Sequence, residues 1–351
     1  MKVHGGAPRG YLDFSAPSNP LGPPPILRVL LSQSLSEGVE RYPNPSYGDL
    51  IESVKEFYGL DESVSVIPLN GAAEAYSLLP LVLRPRTIVS IDPTFGDLDD
   101  IATACGARRL SVCMHVGSGS WVADPSEVME VLNRVERPCL AVVSIPNNPT
   151  GTVIPHDVVR EVSRKCVVLA DYAFRDLSSI DIPLIIEDNV LALLSLTKSL
   201  SIPGLRIGFI LGPAKSELIQ RVEMARQPWN VNGVAAALVT KLLKDFGEYV
   251  RSFLSISRET VAELRRVLED GLTKLGFEVY SSVAPFVLAR HEFASSLARC
   301  LASSFRIAIR SCSSFKCLDE TFVRISVRPL DEIKAFLSAL ERCLDWASSK
   351  A

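Results

Sequence analysis

The sequence predicts an α/β protein, with a mostly parallel sheet carrying helices on both faces, followed by a smaller α+β C-terminal domain. Three observations point there. From Tyr47 onward, helical stretches alternate with short β-branched runs, the pattern of a parallel sheet covered on both sides. Several polar motifs sit just past those runs, where such sheets bind ligands. After Trp229-Asn230 the alternation stops, and one long helical stretch leads into a few short strands.

In chain order, residues 1–35 are rich in Pro and Gly and read as an extended arm followed by a short helix, packing on the small domain. Residues 36–232 form the expected large domain. Its helices fall at Asp49–Tyr58 and Ala73–Leu83, and its strands at Thr87–Ile91, Leu140–Ile145, Val167–Ala170, Leu191–Leu196 and Ile207–Leu211. Residues 233–351 form the expected small domain. It comprises a helix over Gly247–Leu272, strands at Phe277–Tyr280, Phe286–Ala289 and Phe322–Val327, and a final helix over Leu330–Trp346.

Composition narrows the function classes. With 351 residues, 47% of them hydrophobic, the chain can bury a large core. A net charge of −3 gives no general attraction to nucleic acid or anionic membrane. No apolar run is long enough for a signal peptide or a membrane span, so a soluble cytoplasmic protein is expected. The eight cysteines are scattered with no Cys-x-x-Cys pair and no zinc-finger spacing. They read as buried thiols in a reducing compartment, with no metal or redox use.

Four motifs carry candidate chemistry. Ser195-Leu196-Thr197-Lys198-Ser199 ends an apolar strand, and Arg206 follows eight residues on. A lysine at a strand end, partly desolvated, suits Schiff-base chemistry, and the hydroxyls with Arg206 suit a phosphate. Spacing alone leaves an ordinary loop lysine equally open. Asn70-Gly71-Ala72-Ala73-Glu74 reads as a tight turn opening a helix, with backbone N–H groups free for an anion. It also reads as a plain turn. Asp171 closes the run Val167–Ala170, as a helix cap or as a buried carboxylate with a partner. Pro146-Asn147-Asn148-Pro149-Thr150-Gly151 follows another strand and by itself is a turn.

Taken in order, these motifs resemble the fold-type-I pyridoxal-phosphate enzymes, the aspartate aminotransferase superfamily, over nearly the whole chain. The resemblance implies a Schiff base on Lys198 and a contact of Asp171 with the ring nitrogen of the cofactor. It implies that Asn148 meets the ring hydroxyl and that Phe95 stacks on the ring. Gly71, Ala72, Ala73, Thr197 and Arg206 would form the phosphate site. Tyr42 would reach the site of a partner subunit, which implies a homodimer. Core packing is the ordinary alternative for Phe95 and Tyr42.

Two branches of that family act on small phosphorylated amino acids, the histidinol-phosphate aminotransferases and the L-threonine-O-3-phosphate decarboxylases of the cobalamin aminopropanol branch. His4-Gly5-Gly6, Asn19-Pro20-Leu21-Gly22, Ile309–Phe315 and Phe322–Arg328 resemble the decarboxylase signatures. So does Phe174, where aminotransferases usually carry tyrosine. By this resemblance Arg310 and Arg324 hold the substrate carboxylate, and His4 and Asn19 lie near the substrate phosphate. A planar guanidinium suits a carboxylate through paired hydrogen bonds. The chain departs from the pattern at Tyr172, Leu98, Ser311, Lys316-Cys317 and in a short segment between Gly6 and Leu12. These departures bear on the substrate rather than on cofactor chemistry. A non-catalytic protein of the same fold is a third reading. Such regulators carry an added DNA-binding segment.

Overall fold

The computed structural model describes residues 5–348. The chain begins as an extended arm in which β1 (Leu12–Asp13) is the only strand, and then forms helices α1 (Ile26–Glu40) and α2 (Gly48–Tyr58). The large sheet is built from β2 (Val64–Leu69), β3 (Thr87–Asp92) and β4 (Arg108–Cys113). It continues, after the hairpin β5 (His115–Gly117) and β6 (Ser120–Val122), with β7 (Cys139–Ser144), β8 (Val167–Asp171), β9 (Val190–Ser195) and β10 (Gly208–Pro213). The helices between them are α3 (Ala75–Leu83), α4 (Leu98–Cys105), α5 (Pro125–Asn133), α6 (His156–Ser163), the short α7 (Leu196–Ser199) and α8 (Glu217–Ala225).

The seven strands lie in the order β2-β10-β9-β8-β7-β3-β4. Only β10 runs against its neighbours, so the sheet is parallel apart from that strand. Its central strands are apolar almost throughout because both faces are buried. Alternate residues feed two cores. Ile88, Leu140, Leu169, Leu191 and Leu193 pack under α3, α4 and α8, while Val89, Ala141, Val168, Ala192 and Leu194 face α1, α2, α5, α6 and α9. The carboxyl ends of β2, β3, β7, β8 and β9 therefore share one edge, and each is followed by a motif singled out above.

Beyond β10 the 42-residue α9 (Gly233–Lys274) breaks its helical geometry at Phe246. A four-stranded antiparallel sheet follows, made of β11 (Glu278–Val279), β12 (Phe286–Arg290), β14 (Arg310–Ser311) and β15 (Phe322–Ser326) in the order β11-β12-β15-β14. It is accompanied by α10 (Ala294–Phe305), α11 (Leu330–Ser348) and β13 (Ile307–Ala308), which pairs with β1 of the arm.

The arm and the expected boundaries divide their packing. Phe14 is fully buried in the second core and stacks on Phe336 at 4.7 Å. Leu27 and Leu30 of α1 belong to the large core instead. The first half of α9, from Ala235 to Leu254, also packs in the large core, and Leu264, Leu268 and Leu272 reach the small one. Gly38 of α1 and Gly233 sit backbone to backbone, where a Cβ on either would collide with the other helix.

The cysteines correct the expectation of free thiols. Cys113–Cys317, Cys139–Cys166 and Cys300–Cys343 are disulfides, with Cα–Cα separations of 5.9, 4.6 and 6.0 Å. Cys105 and Cys312 are free. Spacing in sequence carried no hint of this, because the fold makes the pairs. Cys139 and Cys166 stand side by side at the starts of adjacent strands, and Cys300 and Cys343 face each other from α10 and α11. Cys113, at the end of β4, is tied across 204 residues to the loop that follows β14.

Thiol titration in denaturant checks this pairing. Two thiols should react without reductant and eight after reduction. More than two reactive thiols in the untreated protein would contradict the disulfides. Reduction of the folded protein should cost about 2–5 kcal/mol of stability for each disulfide opened, seen as a lower Tm.

Candidate active site

A cavity of about 580 Å³ opens at the carboxyl edge of the large sheet, between that sheet, the arm and the small domain. Gly71 caps the turn that opens it; Ala72, Ala73, Phe95, Asn148, Asp171, Thr197, Lys198, Arg206 and Arg324 line it. A smaller annex of about 260 Å³ shares Phe95, Gly96 and Arg324 with the main cavity and is lined further by Arg310, Ser314 and Lys316. The motifs separated along the sequence are thus brought to one place.

Lys198 stands in α7, one turn past the end of β9. Its ammonium makes no hydrogen bond or ion pair among the described residues. Burial, then repulsion from Arg324 and Arg206, pushes its pKa down to about 8, with Asp13 and Asp171 opposing. Asp171 ends β8 and is 5% exposed. Burial raises its pKa above the ordinary carboxylate range. Two donors and the charge of Lys198 oppose that rise: the Tyr76 hydroxyl gives Oδ2 a hydrogen bond of 2.6 Å, and the Ala173 N–H gives Oδ1 one of 2.9 Å.

The turn after β2 is shaped by two glycines. Gly71 has φ +76°, and a Cβ there would collide with the Arg206 guanidinium. A Cβ on Gly208 would meet the backbone of Ala72. The first N–H groups of the helix that begins at Ala72 have no partner within that helix and face the cavity with Arg206. Thr197 is 3% exposed, with its hydroxyl 2.8 Å from that of Ser195.

Arg324, in the middle of β15, is 5% exposed and lies over the Phe286 ring. It donates to Asn148 Oδ1 at 2.5 Å and to the Ser15 carbonyl at 2.6 Å, and its Nε has no partner. Burial pushes its pKa down to about 10. Arg310 is 7% exposed, donates to Ser314 Oγ at 2.7 Å and lies over the Phe315 ring. Among the described residues neither arginine has a carboxylate within ion-pair distance. Asp97 acts on Arg310 and Asp13 on Arg324 from beyond ion-pair distance, which leaves room beside both cations for an anionic ligand.

Two expected site residues are not gathered here. Asn19 is 1% exposed and does not line the cavity. Its amide donates to the Ser199 carbonyl and to Ser257 Oγ, its oxygen accepts from Leu21 N, and its own N–H donates to the Lys198 carbonyl. Its polar atoms are engaged in bracing the arm against α7 and α9, which corrects the expected phosphate contact. Tyr42 is 80% exposed, away from this chain's cavity, and packs on Trp229. His4 lies outside the described residues. Sequence reading missed Tyr76, because its position in α3 reads as core, and it missed the Ser15–Pro17 segment that walls the cavity.

The model of the aminotransferase class I and II family matches residues 10–340. The chain belongs to that family. It is a pyridoxal-phosphate-dependent enzyme. The threonine-phosphate decarboxylase of Salmonella typhimurium is 27% identical over 97% of this chain and 93% of its own length. The histidinol-phosphate aminotransferase of Methanopyrus kandleri is 29% identical over 98% and 91%. The bifunctional adenosylcobalamin biosynthesis protein CobDQ of Leptospira interrogans is 27% identical over 96% of this chain, which spans only 39% of that longer protein. In fold, the histidinol-phosphate aminotransferase structure from Clostridium acetobutylicum superposes with a TM-score of 0.83 at 24% identity, over 95% of this chain and 99% of that one.

The donor set suits the cofactor: an amine for its aldehyde, a buried carboxylate for its ring nitrogen, an aromatic face at Phe95 and a cradle of N–H groups with Arg206 for its phosphate. The cradle exists only because residue 71 has no side chain.

A test follows from the lowered pKa of Lys198. Below about pH 8 the amine is protonated and unreactive, and above it the free amine dominates. Covalent uptake of pyridoxal phosphate by the apo-protein, trapped by borohydride and mapped to Lys198, should rise with pH around a midpoint near 8. A midpoint near the ordinary lysine value of about 10.4 would contradict the buried setting.

Proposed function

We propose that this enzyme decarboxylates a small, phosphorylated amino acid of the L-threonine-O-3-phosphate kind. The observation that carries the reading is the pair of buried arginines with no carboxylate in ion-pair distance among the described residues, Arg324 beside Lys198 and Arg310 in the adjoining annex. They supply two anion sites, as a substrate bearing a carboxylate and a phosphate requires. Phe174 supports the choice within the family. It packs edge-on against Phe286 and offers no hydroxyl where aminotransferases usually carry tyrosine.

Bound pyridoxal phosphate supplies an electron sink for the pair left when a bond at Cα breaks. In this reading Lys198 carries it and Asp171 holds its ring nitrogen protonated. Ala72, Ala73, Thr197 and Arg206 hold its phosphate, in the space that Gly71 leaves open. Asn148 meets its ring hydroxyl and Phe95 covers one ring face. Arg324 and Arg310 orient the substrate so that the bond from Cα to the carboxylate breaks. Lys198, its nitrogen freed once the substrate amine takes its place on the cofactor, would hold the proton that replaces the departing CO2 at Cα. The lowered proton affinity of Lys198 suits it to give and take that proton near neutral pH.

The same lysine favours a second reading, an aminotransferase of the histidinol-phosphate type. There Lys198 removes the proton from Cα while the carboxylate stays attached. The two differ in which bond at Cα Arg310 and Arg324 would hold ready to break, a matter of a few kcal/mol. A homodimer belongs to this proposal. Tyr42, with the exposed Val29, Leu35 and Val39 of α1, supports a subunit contact. The cytoplasmic placement stays part of it too. Disulfides in such a setting occur in hyperthermophilic prokaryotes.

The decisive assay incubates the holoenzyme with L-threonine phosphate, and separately with histidinol phosphate plus 2-oxoglutarate. CO2 release without a keto acid supports the decarboxylase, and glutamate formation selects the aminotransferase. Lys198→Ala should abolish the visible absorbance and turnover. Arg324→Ala should weaken carboxylate substrates roughly 100-fold, the loss of a buried charge-assisted pair. Unchanged substrate affinity would remove Arg324 from the site.

A further inference from the structure

We infer that Tyr76 is a positioning residue for the cofactor, acting through Asp171 by fixing that carboxylate in its charged form and in one orientation. The inference rests on the cofactor reading above and assigns a role to a residue outside its motifs.

Three observations carry it. The Tyr76 hydroxyl donates to Asp171 Oδ2 at 2.6 Å, a short charge-assisted bond. Both groups are removed from water, Tyr76 at 7% and Asp171 at 5% exposure, so neither has solvent to fall back on. Tyr76 is also the one tyrosine lining the cavity among the described residues, while position 174 in the same cavity is phenylalanine. The phenol hydroxyl therefore serves the ring-nitrogen end of the site and not the ring-hydroxyl end.

The ring of Tyr76 is held for this purpose. Gly96, at φ +115°, leaves space that a Cβ would take from the edge of the Tyr76 ring. Phe95 meets that ring edge-on with centroids 6.0 Å apart. The phenol cannot swing away without moving Phe95 or the backbone at residue 96.

The hydrogen-bond inventory leaves Asp171 able to serve both partners. Oδ1 accepts from Ala173 N–H and Oδ2 from Tyr76, and each oxygen retains one lone pair for a ring N–H. The phenol sits far above its ordinary pKa, through burial first and the Asp171 charge second, so it acts only as a donor. The charged groups facing Asp171 are few. Lys198 lies across the cavity from β8, with Arg206 and Arg324 behind it and Asp13 beyond. Without the Tyr76 hydroxyl, a buried carboxylate keeps one neutral donor and becomes a stronger base. Asp171 would then hold a proton shared with a bound ring nitrogen more tightly, and a cofactor held on Lys198 would keep less of the positive charge that lowers its own proton affinity.

The test is Tyr76→Phe in the holoenzyme, which keeps the ring and removes one oxygen. The titration midpoint of the visible absorbance should rise by about one pH unit, a tenfold change in proton affinity. The dissociation constant for pyridoxal phosphate should rise roughly tenfold. Tyr58→Phe is the matched control. Tyr58 is a half-buried phenol that donates to Asp176 at 2.7 Å outside the cavity, and loss of its hydroxyl should leave the midpoint in place. A Tyr76→Phe midpoint equal to that of the unsubstituted enzyme overturns the inference, even if the melting temperature falls. A midpoint shifted equally by Tyr58→Phe also overturns it. If the unsubstituted enzyme itself takes up no cofactor, the cofactor reading fails rather than this one.

Discussion

A guanidinium taken out of water must be met by acceptors from whatever surrounds it, and Arg324 is met by three separate parts of the chain. From the middle of β15 it reaches the turn after β7 at Asn148, the arm at the Ser15 carbonyl, and the ring of Phe286 on the neighbouring strand. Each contact is useful to the others. The arm has little secondary structure of its own, and it is held by this bond, by β1 on β13 and by the burial of Phe14. The cavity has a wall on that side because Arg324 pulls the arm across it.

The same crowding sets the chemistry. Arg324 and Arg206 stand close enough to Lys198 to disfavour a third positive charge, and burial works in the same direction. A lysine on the surface would hold its proton two or more units higher. Asp171 balances only part of this field, and the hydrogen bonds of Tyr76 and Ala173 offset part of the rise that burial imposes on its pKa. Reactivity at Lys198 is therefore a property of the packed site rather than of the lysine.

Much of this was legible in the sequence, for a physical reason. Asp171, Lys198 and the Asn148 turn lie at strand ends, and strand ends are fixed by long apolar runs that are easy to read. Gly71 was legible because a turn needs positive φ there. What escaped depends on side-chain direction. Tyr76 sits on a helix whose other apolar residues are core, and nothing in its spacing says that its hydroxyl points at a carboxylate. Asn19 looked like a ligand residue, but its amide is consumed by backbone and by Ser257. The cysteine pairs and the double allegiance of α9 are products of tertiary contact and leave no local trace. The strand β2 also escaped, because its Pro68 reads as a breaker, although an antiparallel neighbour accommodates it at the sheet edge.

The union of the arm with the C-terminal strands has a bearing on how the protein is made. Ser15 and Arg324 are 309 residues apart, and β1 finds its partner only in β13. A ribosome delivers Lys198, Asp171 and the phosphate turn long before it delivers the strand that closes the cavity. The large sheet can form in the meantime from neighbouring segments, which is the faster kind of folding. The arm can be braced through Asn19 once α7 and the start of α9 exist, but β1 and Ser15 must wait for almost the entire chain. The nascent polypeptide therefore carries Lys198 through more than a hundred further residues of synthesis without a finished pocket around it, and the buried arginines Arg310 and Arg324 come only near the end.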